Sequence, residues 1–172
     1  MKELDWIAEA KKHLGKREVG NTNTSKDIEQ WQQYILGFPI KKGHYLYGVP
    51  WCGTFVAYCL KKCGLTIGNS IPTNWFRALD YTTKGTLLKA PCYGCVAIKT
   101  REGGGHVCFV VGKTKQGKLV CLGGNQGNSV CYATYDANAF NEFRWYGRTS
   151  TPLQERYNLP VLSVSAYNVT EW

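Results

Sequence analysis

One change of hydrophobic period constrains this chain more than any other feature. Up to about residue 79 the apolar residues recur at helical spacing, and from Cys95 onward they alternate with period two. Trp6, Ile7, Ala10 and Leu14 mark one face of a predicted helix from Asp5 to Leu14, stopped by Gly15. After a polar break at residues 21–25, Thr24 and Asp27 supply a capping box for a second helix, which runs to about Leu36 and closes at Gly37 and Pro39. A third helix is predicted between Pro50 and Gly64, and a short fourth spans Asn74 to Leu79. Strands are predicted over Cys95 to Thr100, His106 to Val111, Lys118 to Leu122, Ser129 to Thr134 and Asn141 to Tyr146. Glycine-rich turns join the first three, which demands antiparallel neighbours. Helices first and an antiparallel sheet afterwards make the class α+β.

The 172 residues are enough for one domain with a real core. That domain is expected to span residues 1–172, with its core at about 5–147. Residues 148–172 are an extension of open role, strand-like over Leu159 to Ala166. Hydrophobic residues at 44% and aromatics at 13% exclude a disordered chain. No apolar run reaches the ~20 residues a membrane span needs, so no transmembrane segment is expected. The first residues carry Glu3 and Asp5 where a secretory signal has a basic and then an apolar stretch. Work outside the cytoplasm, in the periplasm or at the cell wall, then requires delivery by lysis or by a secretion system.

The formal net charge of +9 draws polyanions: nucleic acid, anionic membrane, or wall polymers bearing phosphate and carboxylate. The lysines and arginines occur in ones and twos, and no zinc-finger, basic-zipper or RNA-recognition signature accompanies them. No nucleic-acid partner is expected.

The residues able to do chemistry begin with Cys52. Cys52, Val56, Cys59, Leu60 and Cys63 share one face of the third helix, and Lys61 and Lys62 face away. A thiol attacks as its thiolate, and a helix N-terminus favours that form through its unpaired N–H groups and dipole. Cys52 sits there; Cys59 and Cys63 do not. The bland alternative makes Cys52 an apolar filler at the head of the stripe. His106 follows Gly103-Gly104-Gly105 and opens the apolar strand Val107 to Val111, which sets its imidazole at the sheet margin within reach of a packed helix N-terminus. His13, in a polar part of the first helix, reads as solvated, and His44 lies in a loop. The hairpin through Lys113 to Gly117 puts residues near 124 or 125 opposite His106, so Asn125 is positioned to orient the ring; as a bare string, Gly-Gly-Asn-Gln-Gly is also a turn.

Pro50-Trp51-Cys52-Gly53-Thr54-Phe55-Val56, Gly105-His106-Val107 and Leu122-Gly123-Gly124-Asn125-Gln126, in that order, resemble the papain-like cell-wall hydrolases. The nearest likeness is to their CHAP branch (cysteine, histidine-dependent amidohydrolase/peptidase), related to the NlpC-type peptidases, and it covers about Asp5 to Tyr146. The resemblance implies N-terminal helices packed on a central antiparallel sheet, with the catalytic Cys at a helix N-terminus. It implies Cys52 as nucleophile, His106 as base and Asn125 as orienting residue. Its implied substrate is an amide of peptidoglycan, either muramoyl-L-alanine or one within the peptide. The enzyme would then be a phage lysis enzyme or a secreted antibacterial effector, the latter with an immunity protein as inhibitor. Neither cofactor nor metal is implied. Trp51 and Gly53 stand where NlpC-type enzymes carry Asp and Ser. Candidate substrate-binding residues are Tyr45 and Tyr47, in the loop leading into Cys52, with Trp51, Trp75 and Gln126; the tryptophans read equally well as core.

Eight cysteines permit other readings. Cys92-Tyr93-Gly94-Cys95 has the spacing of a thiol–disulfide oxidoreductase, although a strand rather than a helix follows it. Cys59, Cys63, Cys92 and Cys95 have admissible spacings for structural zinc. Cys108 and Cys121, roughly opposite on the hairpin, allow a disulfide under oxidising conditions. A non-catalytic wall-binding module is the remaining class. Without a secretory signal, most of the thiols are expected reduced and buried.

Overall fold

In a computed structural model describing residues 1–163, the chain is α+β, with α-helices and a six-stranded antiparallel sheet. Three α-helices come first: α1 (Asp5–Lys11), α2 (Lys26–Leu36) and α3 (Cys52–Lys62). The strands are β1 (Thr86–Leu88), β2 (Val96–Arg101), β3 (Gly104–Lys113), β4 (Leu119–Gln126), β5 (Ser129–Tyr135) and β6 (Glu142–Trp145). Their order in the sheet is β1-β6-β2-β3-β4-β5. Among the described residues no helix is long and apolar enough to cross a membrane.

Local chemistry sets the helix ends. The Ser25 hydroxyl accepts from the Ile28 N–H and caps α2, a role expected of Thr24; Gly37, at φ 84°, closes the same helix. The helix expected over Asn74 to Leu79 is instead a turn followed by a 3-10 helix, Ala78–Thr83. Here Tyr81 is fully buried and its hydroxyl donates to the carbonyls of Gly53 and Trp75, at 2.7 and 3.1 Å. Those tertiary bonds hold the segment tighter than α-helical pitch allows. The three-residue strand β1 was not expected; its first two residues are exposed, so no alternation marks it. Of the strand-like tail, Val161 makes a single bridge with Lys113, and residues 164–166 lie outside the described residues.

Helix α3 organises the core. It touches α1 and α2 on one side and β3 and β4 on the other. Accordingly, its residues from Cys52 to Ala57, with Cys59 and Leu60, are all buried, leaving only the lysine side wet. Close approach to the sheet depends on Gly124, where a Cβ would lie 2.7 Å from both Phe55 and Trp51. Fully burying a side chain such as Phe55 is worth ~2–3 kcal/mol, so the central helix is also a main source of stability.

Candidate active site

Cys52 is the first residue of α3, and Trp51, its N-cap, offers no side-chain hydrogen bond to the helix. The N–H groups of Cys52, Gly53 and Thr54 therefore have no partner within the helix and point out of its positive end. Cys52 is 2% exposed, and it lines a cleft of about 250 Å³. Val49, Pro50 and Phe76 line one part of it; Leu79 and the β2–β3 turn line another.

His106 enters from β3, two residues after the turn between Arg101 and Gly104, and is 1% exposed. Its imidazole and the Cys52 thiol are close enough for each to shift the other's titration. Burial, the largest single influence, pushes the Cys52 thiol up. The His106 hydrogen bond and charge, a backbone bond from Val107 and the charge of Arg101 outweigh it, and the thiol lies below its ordinary 9.0. Burial alone would pull His106 down, but its hydrogen bonds to Cys108 and Cys52 and their charge lift it well above the usual 6.5. Burial pushes the Cys108 thiol well up, so of the two thiols acting on the ring Cys52 is the one shifted toward its thiolate.

The third residue at the ring is Gln126, not Asn125. His106 Nε2 lies 3.1 Å from Gln126 Oε1. The amide orientation is fixed by its surroundings: Nε2 of Gln126 donates to the Cys131 carbonyl at 2.7 Å, and the Tyr135 hydroxyl donates to Oε1 at 3.0 Å. An oxygen facing His106 Nε2 keeps the proton on that nitrogen and leaves Nδ1 as the basic one. Gly123 makes room for this arrangement, since a Cβ there would lie 2.9 Å from Gln126 Oε1 and 2.8 Å from Cys108. The expectation for Asn125 failed by one residue for a local reason. Phe109 pairs with Leu122, and continuing that register three steps along each strand would set His106 opposite position 125. Between Gly123 and Gln126, however, the register against β5 shifts, and Asn125 takes φ 56°. After that irregularity it is the next side chain, Gln126, fully buried, that meets the imidazole.

The other sequence candidates scatter. Trp51 is a core residue rather than a groove wall: it is wholly buried, and its indole N–H donates to Glu18 at 2.8 Å. Trp75 is 3% exposed and is likewise packed inside. Tyr45 is 71% exposed, stacked on His44 and edge-on to Phe76 of the cleft wall. Tyr47 is half-buried against the core; neither tyrosine lines the cleft. His44 Nδ1 accepts from the Leu46 N–H, holding that loop. His13 is not solvated as its neighbours imply; it packs against Trp31, Phe55 and Tyr58 and meets Glu9 at 3.1 Å. Gly53 has a steric reason for its identity, because a Cβ there would lie 2.5 Å from the Trp75 carbonyl. A serine does not fit at that position.

All eight cysteines are free thiols. Cys108 and Cys121 are hydrogen-bond neighbours, diagonal across the β3–β4 pairing rather than directly opposed. Cys92 and Cys95 form the tight turn entering β2, both at 0% exposure, with no helix following them. Among the described residues no three His, Cys, Asp or Glu side chains gather as metal ligands.

Compared with protein-family models, with curated proteins and with solved structures, the chain matches none. Its chemistry is therefore read from the Cys52–His106–Gln126 arrangement itself.

Proposed function

We propose that this protein is a papain-like cysteine hydrolase that cleaves an amide bond of peptidoglycan, with Cys52 as nucleophile, His106 as general base and acid, and Gln126 orienting the imidazole. The single observation that carries the reading is the coupling of a thiol at the positive end of α3 to an imidazole whose other nitrogen is committed to Gln126. Cys52 lines the cleft, which supports access of that thiol to substrate.

In the proposed reaction His106 Nδ1 takes the Cys52 proton, and the thiolate attacks the amide carbonyl. The C–N bond breaks as His106 returns the proton to the leaving amine. Water, deprotonated by the same ring, then hydrolyses the thioester and frees the carboxylic acid. The unpaired N–H groups at the start of α3 are placed to receive the developing oxyanion, a contribution of ~3 kcal/mol where such donors have been removed elsewhere. The Trp51–Glu18 bond and the Tyr81–Gly53 bond hold that helix end rigid. The positive charge of +9 supports a polyanionic wall substrate, since it raises the local concentration of acidic polymer. In this reading the enzyme acts at the cell wall or in the periplasm, as a lysis enzyme or a secreted antibacterial effector.

Mass spectrometry of products from defined peptidoglycan fragments tests the reading. The parent releases a new amine and a new carboxylate at one amide, and Cys52→Ser releases neither. Undiminished digestion by Cys52→Ser sinks the assignment.

A further inference from the structure

Beside Cys52 the cleft carries charge that the proposed chemistry does not use. Three charged side chains line it: Arg77, Asp80 and Arg101. Two of them answer each other. Asp80 lies 4.0 Å from the Arg77 guanidinium and accepts from the Asn74 amide at 2.9 Å. Among the described residues no carboxylate pairs with Arg101, although Glu102 follows it in the chain. Arg101 is also held in place. It is the last residue of β2, paired across the tight turn with Gly104, and half-buried against the cleft. Its charge reaches the Cys52 sulfur. The other cation of the lining, Arg77, has Asp80 beside it, and apart from Cys52 the remaining residues are glycine and apolar side chains.

Resting on the hydrolase reading above, we propose that Arg101 anchors a free carboxylate of the substrate next to the scissile amide, making the enzyme selective for acidic over amidated peptide stems. A planar guanidinium takes a carboxylate through two parallel hydrogen bonds, and a half-buried, unpaired arginine is the side chain suited to it. Volume agrees: about 250 Å³ holds one or two residues of a peptide, not a sugar polymer. Within wall peptide, the α-carboxylate of a γ-linked glutamyl residue supplies the anion, and its conversion to a carboxamide removes it. Losing the anion leaves a cation desolvated without a partner, which discriminates more strongly than the lost contact alone.

The test uses two synthetic probes, N-acetylmuramoyl-L-alanyl-γ-D-glutamyl-L-lysine and its isoglutaminyl counterpart. Binding of each to Cys52→Ala is measured by calorimetry, and kcat/KM of each is measured with the parent. The acidic probe is expected to bind about tenfold tighter, equivalent to 1.4 kcal/mol. Arg101→Gln in the Cys52→Ala background is expected to bring the two affinities together, and Arg101→Lys to restore part of the difference. Equal affinity of the two probes for Cys52→Ala, no binding of either probe, or a preference that survives Arg101→Gln overturns the proposal. Binding preference without any cleavage by the parent overturns the hydrolase reading and leaves the carboxylate subsite standing.

Discussion

Cys52 and Cys59 lie on the same helix, two turns apart, and both are buried, yet their environments push them in opposite directions. Cys59 has no cation beside it; burial, with the charges of Glu9 and Cys63, holds its thiol well above 9.0. Cys52 suffers the same burial and is brought below 9.0 by His106, Val107 and Arg101. Burial alone makes a cysteine inert, and a thiolate needs an answering charge at the same depth. Cys92 and Cys95 sharpen the point from another part of the fold. There a second thiol replaces the imidazole, Cys92 is lowered by its bond to Cys95, and Cys95 is driven well up by burial. Neither of that pair lines the cleft at Cys52.

The largest expected effect separates the two cysteines of α3. Cys52→Ala is expected to reduce hydrolysis of wall fragments by ~10⁴-fold or more. Cys59→Ala keeps the parent rate and loses ~1 kcal/mol of stability through the small cavity it leaves. Steady-state rates with denaturant midpoints check both, and comparable rate losses in the two variants erase the distinction.

Next comes the charge that makes the difference. His106→Ala is expected to lower the rate by ~10²–10⁴-fold. Without the ring, burial is left as the main influence on Cys52, so alkylation of its thiol by iodoacetamide moves from below pH 9.0 to above it. In the parent, the rate rises as pH passes upward through the lowered Cys52 pKa. It falls once pH passes upward through the raised His106 pKa and the imidazolium loses its proton. The result is a bell whose alkaline limb lies above 6.5. A profile that climbs steadily to pH 9.0 and beyond denies the ion pair.

Much of this was legible in the sequence, and the part that was not has a definable cause. Cys52 stands at the head of an apolar stripe that Pro50 and Gly64 bracket, so its place on the helix follows from spacing alone. His106 follows from the glycine approach and the strand it opens. Those signals are local. Gln126 depended on a bulge, and a bulge is a contest between neighbouring strands that period-two counting cannot register. The asparagine itself was the available clue, because asparagine tolerates the left-handed region better than most residues, and Asn125 sits there at φ 56°. Trp51 and His13 misled for the opposite reason: their neighbours are polar or near the site, while their rings are used by a core assembled from distant segments.

Removal of the orienting amide comes third. Gln126→Ala is expected to cost ~10²-fold in rate, less than loss of the ring, since the imidazole stays but its tautomer is no longer imposed. Gly123→Ala, which presses on the same amide oxygen, shifts the rate in the same direction. A Gln126→Ala enzyme that titrates and turns over like the parent removes Gln126 from the site.

The smallest effect decides between the two neighbours. If Asn125 serves only to turn the strand, its side chain is dispensable and its backbone conformation is not. Asn125→Gly then leaves rate and stability near the parent, because glycine adopts φ 56° without strain. Asn125→Ala keeps the rate but loses ~1 kcal/mol, a fall in Tm of roughly 2–4 °C for a domain of this size. An imidazole oriented by Asn125 gives the reverse pattern: both substitutions lower the rate alike, and stability fails to distinguish them. Measuring rate and Tm on the same two variants therefore tells a bulge former from a member of the site.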